Sequence, residues 1–158
     1  MTFIVDGTAG LTYPNSTVQA SAGVVLQVVN ATFSASFSTA SSTFVTTGYA
    51  VTITPKFSTS KIIILTAGGM VATAGTGNQP VFTIYRGAVN IGDSSVGLCE
   101  YLNASGGSLQ SPLFVSTIDS PATTSATTYT IYQRQKSGTS YINQDSCITN
   151  LIAMEIAG

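Results

Sequence analysis

Six carboxylates, Asp6, Asp93, Glu100, Asp119, Asp145 and Glu155, are the groups in this chain best suited to acid–base work. Two of them brought together by folding could hydrolyse a glycoside, one giving a proton while the other attacks or activates water. No two stand at a spacing that assigns them to one site, and there is no Trp to build a substrate platform. The chain has no His, so nucleophile triads, proton shuttles and most zinc sites lack their usual member. Cys99 and Cys147 are too few for a disulfide framework. Two separate small buried residues are expected, with a pairing left open.

The remaining motifs are weaker. Gly75-Thr76-Gly77-Asn78-Gln79-Pro80 has the look of a phosphate loop but lacks its Lys. It also runs into the strand-like residues 81–85, where a phosphate loop needs a helix N-terminus to hold the anion. Asn143-Gln144-Asp145-Ser146 offers a single carboxylate, a poor calcium site. Asn15-Ser16-Thr17, Asn30-Ala31-Thr32 and Asn103-Ala104-Ser105 match glycosylation acceptors, as chance allows in a chain so rich in Ser and Thr. Tyr129, Tyr132 and Tyr141 fall on or near one predicted hairpin. They form either a receptor patch that stacks on sugars, or a cap on the fold or a subunit interface. The expectation is a protein with no catalytic residues, no metal and no cofactor.

The elements that must position these residues read as strands throughout. No stretch carries apolar residues at helical spacing, whereas short runs of Thr, Val, Ile and aromatics recur between Gly, Pro, Ser and Asn clusters. Branching at Cβ crowds a helix and suits extended backbone. Strands are predicted at about 24–33, 43–53, 61–72, 81–86, 96–102, 112–118, 128–136, 139–143 and 147–157. Nine such runs describe a sandwich or barrel. Residues 34–42 read as a polar connection, and 68–69 with 75–80 as a loop or bulge. Lys136-Ser137-Gly138-Thr139 reads as a tight hairpin joining the strands on either side.

Faces can be read as well. Ile62-Ile63-Ile64-Leu65 is apolar on both sides, which suits a strand covered twice, once by the opposing sheet and once by a neighbouring subunit. In the last run Ile148, Ile152, Met154 and Ile156 share the face expected to be buried, with Asn150 its polar member. Thr149, Leu151, Ala153 and Glu155 share the other. Residues 1–23 differ from the rest, with a brief apolar patch at Phe3, Ile4 and Val5 followed by small polar residues. They read as an arm outside a sandwich of residues 24–158, either frayed or ordered by an attachment partner.

Charge narrows the partners. Only 7% of the 158 residues are charged and the net charge is −1, against about 25% charged in ordinary soluble domains. A Ser and Thr surface presses against another protein at low desolvation cost, because hydroxyls are cheaper to bury than ions. With five scattered basic residues no phosphate-tracking surface can be built, so nucleic acid is not an expected partner. Residues 1–15 show no basic region followed by a long apolar core, so no secretory signal is expected there. The longest aliphatic run, residues 62–65, is too short to span a bilayer, so neither is a membrane.

Several segments, taken in order, resemble a known family. Gly10-Leu11-Thr12-Tyr13-Pro14-Asn15-Ser16-Thr17-Val18-Gln19 resembles the "GLTFPDGTTQ" segment of many tailed-bacteriophage fibre and other virion proteins. Val25-Leu26-Gln27-Val28-Val29 resembles the "ILQVV" that opens their following globular domain. Thr43-Phe44-Val45-Thr46-Thr47-Gly48, Thr52-Ile53-Thr54-Pro55-Lys56 and Ser60-Lys61-Ile62 are similar to "FVDTGLSATITPK…SKILI". Thr83-Ile84-Tyr85-Arg86 with Asn90-Ile91-Gly92 resembles "TIYR…NIG", and Ala153-Met154-Glu155-Ile156 resembles the terminal "MEI" strand.

The resemblance implies an all-β, jelly-roll-like antiparallel β-sandwich with an extended N-terminal arm. It implies a homotrimer on the surface of a virion, made in the host cytoplasm. In fibre proteins the module usually closes a long chain, whereas here it begins close to a plausible initiator Met1. The expected role is therefore a short knob or a capsid-decorating (cement or head-fibre) protein. It would dock on capsid or tail proteins through Phe3, Ile4, Val5, Leu11 and Tyr13. The alternative is a short tail-fibre tip that binds a host surface glycan.

Overall fold

The structure is a computed structural model that describes residues 24–73, 75–104 and 106–158, together with the backbone of residues 4–6, 10–12, 18–19 and 74. Among the described residues the regular structure is antiparallel strand, with one short 3-10 turn at Gln144–Ser146. Alternation explains the strands directly. In Thr127–Gln135, Thr127, Tyr129, Ile131, Gln133 and Gln135 are buried while Thr128, Thr130, Tyr132 and Arg134 point outward.

A front sheet carries β6 (Val45–Ile53), β14 (Thr127–Gln135), β9 (Pro80–Arg86) and β10 (Val89–Asn90) in the order β10-β9-β14-β6. The two-residue β11 (Cys99–Glu100) pairs with the free end of β9. Behind it lie β13 (Ser116–Asp119), β7 (Lys61–Gly68), β16 (Thr149–Ile156) and β4 (Val25–Phe33), ordered β13-β7-β16-β4. The same order recurs in β12 (Ser108–Pro112), β8 (Met70–Ala74), β15 (Ser140–Ile142) and β5 (Phe37–Thr39). These eight run on from one another as one bent back sheet of four interrupted strands.

The interruption has a chemical basis. Gly68 and Gly69 both take positive φ, 77° and 81°, a region L side chains avoid. A Cβ on Gly68 would also sit 2.6 Å from the carbonyl oxygen of Ile148. Backbone groups freed at the break find side chains. The Thr66 hydroxyl donates to Leu113 O and accepts from Val115 N, both at 3.0 Å. Asn143 Nδ2 donates to Phe33 O at 3.0 Å, and its Oδ1 accepts from Thr149 Oγ1 at 2.7 Å. Thr66 and Asn143 thus stitch the two halves.

One core lies between the sheets. Tyr49, Val51, Ile53, Phe82, Ile84, Tyr129 and Ile131 from the front meet Ile62, Ile64, Leu113, Val115, Leu151 and Ala153 from the back. Each large aliphatic or aromatic side chain so buried contributes about 1.5–3 kcal/mol. The result is a β-sandwich-like all-β fold. Two polar clusters are built into it. Asp119 accepts Arg86 Nη1 at 2.9 Å and Tyr129 OH at 2.7 Å, tying β13 of the back sheet to the front. Glu155 is fully buried on β16 and accepts Ser60 Oγ and Lys56 N, each at 2.7 Å, with Gln27 Nε2 on its other oxygen.

Several expectations need correction. The 136–139 turn is not a hairpin: β14 pairs with β6 and β9, whereas β15 pairs with β5 and β8 in the other sheet. Gly138 has the turn conformation, φ 74°, but Lys136 N bonds to Gln79 O, and the chain crosses between layers. The 61–72 run divides at Gly69, and the 112–118 run divides at residues 113–115. The connection at 34–42 holds the edge strand β5. On β16 the core face is Thr149, Leu151, Ala153 and Glu155, so the isoleucine face looks outward. The arm reading of residues 1–23 is not among these: within it β1 (Ile4–Asp6), β2 (Gly10–Thr12) and β3 (Val18–Gln19) pair with one another as a small antiparallel sheet.

Candidate assembly face

Because the core takes one side of the back sheet, the residues between its inward positions form an outer face. Register places them in rows. Ile118 pairs with Ile63, Ile63 with Met154, and Met154 with Val28, so one row crosses all four strands without a polar group. The next row runs Ser116, Leu65, Ile152 and Asn30. On the other side of the first row Ile156 lies between Lys61 and Val25. Lys61 is the one charged side chain among these paired positions.

The rows are exposed in an unusual way. Ile118 and Phe114 are each 64% exposed and Val28 56%. Ile63, Leu65, Ile152 and Met154 are half-buried because sheet neighbours shield their flanks. Phe114, Ile63, Leu65 and Ile118 line a shallow depression of about 360 Å³. A face four strands wide and eight residues long spans about 500 Å² by strand spacing and rise. The apolar rows fill only part of that area, which puts them in the range of the largest apolar patch on an ordinary soluble domain, a patch that is often functional. Polar pairs edge it at one end, where Thr32 Oγ1 donates to Asn150 Oδ1 at 2.7 Å.

The residues with chemical potential are engaged elsewhere. Glu155 is buried, which raises its carboxyl, but hydrogen bonds from Ser60, Gln27, Lys56 and Phe57 outweigh this and hold it below the usual carboxylate range. The backbone N–H groups of Val96 and Ser95 lower Asp93 in the same way. Glu100 pairs with Lys136 at 2.7 Å. Cys99 and Cys147 are both free, and burial pushes the Cys99 thiol up to about 12. Among the described residues no three Cys, Asp or Glu side chains converge as metal ligands would.

The three tyrosines do not form one patch. Tyr129 is fully buried, and burial followed by the Asp119 hydrogen bond drives its phenol pKa up. Tyr132 is on the outer face of the front sheet, stacked on Tyr85 with centroids 3.9 Å apart. Tyr141 stands partly exposed on β15 of the back sheet. Of the expected docking residues, Ile4 pairs with Thr12 and Val5 with Leu11 in the small N-terminal sheet. Phe3 and Tyr13 lie outside the described residues.

Sequence reasoning anticipated a second cover over Ile63 and Leu65 but did not extend it to Val28, Phe114 and Ile118 on the neighbouring strands. No protein-family model matches the chain, and no curated protein matches it.

Proposed function

We propose that the chain is a non-catalytic assembly subunit: a homotrimeric structural protein on the surface of a tailed-bacteriophage virion, a knob or capsid-decorating protein. The observation that carries this is the uninterrupted apolar row Ile118, Ile63, Met154 and Val28 on an outer sheet face. At about 25 cal/mol per Å² of apolar area removed from water, covering such a face with other copies is strongly favourable. A surface with 7% charged residues offers little opposition. The ordered resemblance of its segments to fibre-type virion proteins supplies the setting.

Strand order supports the jelly-roll-like reading. Counting each interrupted back strand once, and β10 with β11 as one front strand beside β9, the chain follows eight paths: β4/β5, β6, β7/β8, β9, β10/β11, β12/β13, β14 and β15/β16. The back sheet is then ordered sixth, third, eighth, first, and the front sheet fifth, fourth, seventh, second. Such interleaving is that of two nested Greek keys. Light scattering of the purified chain is expected to give three times the 16.2 kDa of one chain; a monomer at micromolar concentration overturns the reading. Deleting residues 1–21 is expected to leave the trimer and abolish its incorporation into particles, and normal incorporation would remove the arm's docking role.

A further inference from the structure

The outer face of the front sheet carries a different feature. Tyr85 of β9 and Tyr132 of β14 stack at 3.9 Å with their planes 22° apart. Phe44 meets the Tyr85 ring edge-on at 6.4 Å, and the Arg134 guanidinium lies 5.4 Å from the centre of the Phe44 ring. Between them opens a groove of about 440 Å³. Phe44, Tyr85 and Arg134 floor it, Ser42 and Thr43 form one wall, and Ser94 and Ser95 form the other.

Both walls are built before any ligand arrives. Ser41 Oγ donates to Thr43 O at 2.8 Å, and Gln135 N holds Ser41 O at 2.7 Å. Opposite, Asp93 Oδ1 accepts Ser95 N at 2.7 Å and Val96 N at 2.8 Å, while Asp93 and Gly97 exchange backbone bonds. The serine hydroxyls are thereby presented on fixed turns. Arg134 is the unfinished member. Among the described residues its one hydrogen bond is a long contact of 3.5 Å from Nη1 to Ser42 O, and its buried Nε has no partner. A guanidinium has five donors in a planar fork matched to a carboxylate. The Asp93 carboxylate attracts Arg134 across the groove but is held by two backbone N–H groups of its own turn, and among the described residues it makes no hydrogen bond to the guanidinium.

We propose that this groove binds an acidic saccharide, with the apolar face of a pyranose against Tyr85 and Phe44, its carboxylate on Arg134, and its hydroxyls on Ser42, Ser94 and Ser95. Aromatic floor, hydroxyl walls and a single cation are the donor set of such a ligand. One arginine is too little charge for a nucleic acid backbone. A proline-rich peptide would use the rings but leave the arginine idle. The groove faces away from the assembly face, since the two sheets share one core. Sugar binding and trimerisation therefore fail independently.

The test is an NMR and calorimetric titration of the full chain with oligosaccharides of a hexuronic acid, with a sialylated oligosaccharide, and with their carboxyl-reduced counterparts. At least one acidic sugar is expected to bind, shifting the amides of Ser94, Ser95 and Tyr85. Its reduced counterpart is expected to bind at least about tenfold more weakly, as for loss of one charge-assisted pair. Arg134→Gln should weaken the acidic sugar by a similar factor. Ser95→Glu, at an exposed position, should repel it without touching the core. Absence of binding to every acidic sugar, equal binding of the reduced forms, unchanged affinity in both variants, or preference for a proline-rich peptide overturns the proposal.

Discussion

The two outer faces of the sandwich rest on the same period-two alternation and end in opposite chemistry. Facing away from the core, β6 and β14 show Thr46, Thr52, Thr128, Thr130 and Arg134 beside the tyrosine stack, with Thr52 and Thr128 hydroxyls 2.8 Å apart across the strands. The corresponding positions on β7 and β16 are Ile63, Leu65, Ile152, Met154 and Ile156. Threonine is a strand former that leaves a hydroxyl for water; isoleucine is a strand former that leaves none. Local propensity is satisfied equally by both, so it does not account for the choice. We propose that what distinguishes them is the neighbour each face meets: water and a small polar ligand in front, other copies of the chain behind.

The sharpest way to break this comparison is to charge the back face. Ile63→Lys with Met154→Lys places two ammonium groups in the middle of the apolar row, where each costs several kcal/mol to desolvate without a partner. About 4 kcal/mol is already a thousandfold in association. The trimer is expected to fall to single folded chains at micromolar concentration, read by light scattering, with an unchanged far-UV circular dichroism spectrum. Both side chains point away from the core, so loss of the fold is not expected. A variant that keeps the full trimer mass would show that this face is not the interface.

A second, smaller effect separates the faces by their buried and exposed carboxylates. Glu155 is enclosed on the core side of β16, and Asp93 is exposed on a front turn. Glu155 sits below its ordinary value because the donors around it outweigh the burial that would raise it. The unfolded chain therefore takes up the proton first. Its stabilisation is complete above the unfolded-state value of about 4.3 and drains as pH falls through the lower folded-state value. Glu155→Gln puts an amide N–H₂ among donors and is expected to cost about 2 kcal/mol at neutral pH. That corresponds to roughly 4–8 °C of melting temperature, and the loss of stability below pH 4.5 should flatten. With no His in the chain, stability should change little between pH 5 and 8. A variant with wild-type acid sensitivity would move the origin of that sensitivity to another carboxylate.

How far the sequence foretold this contrast depends on what each signal encodes. The strand at about residues 128–136 and the doubly apolar residues 62–65 were legible because side-chain period and burial are local. The odd spacing of Tyr129 and Tyr132 already put them on opposite faces of any strand. The crossing at residues 136–139 was not legible, because Gly138 specifies a turn and not the sheet that receives the next strand. The outward isoleucine face of β16 was misread for a related reason. With Leu151 and Ala153 on one side and Ile152 and Met154 on the other, the core could have taken either, and the four donors gathered around Glu155 belong to distant segments. The groove at Arg134 joins segments about 40 and 50 residues apart in the chain, which no single run announces.

The smallest expected effect is the control that gives the first its meaning. Thr52→Lys adds a charge to the outer side of β6, an exposed position on an edge strand, where natural sheets commonly carry Lys. It removes the hydroxyl pair with Thr128 and leaves the new ammonium in water, so the change in stability should stay within about 0.5 kcal/mol and the trimer mass should not move. If one lysine in front dissociated the trimer as readily as two behind, general charge repulsion between weakly charged chains would explain both results and the apolar row would lose its special role. An unchanged trimer in front beside a monomer behind places the association energy in the row of Ile118, Ile63, Met154 and Val28, since the two experiments differ in the face they charge and share the same fold.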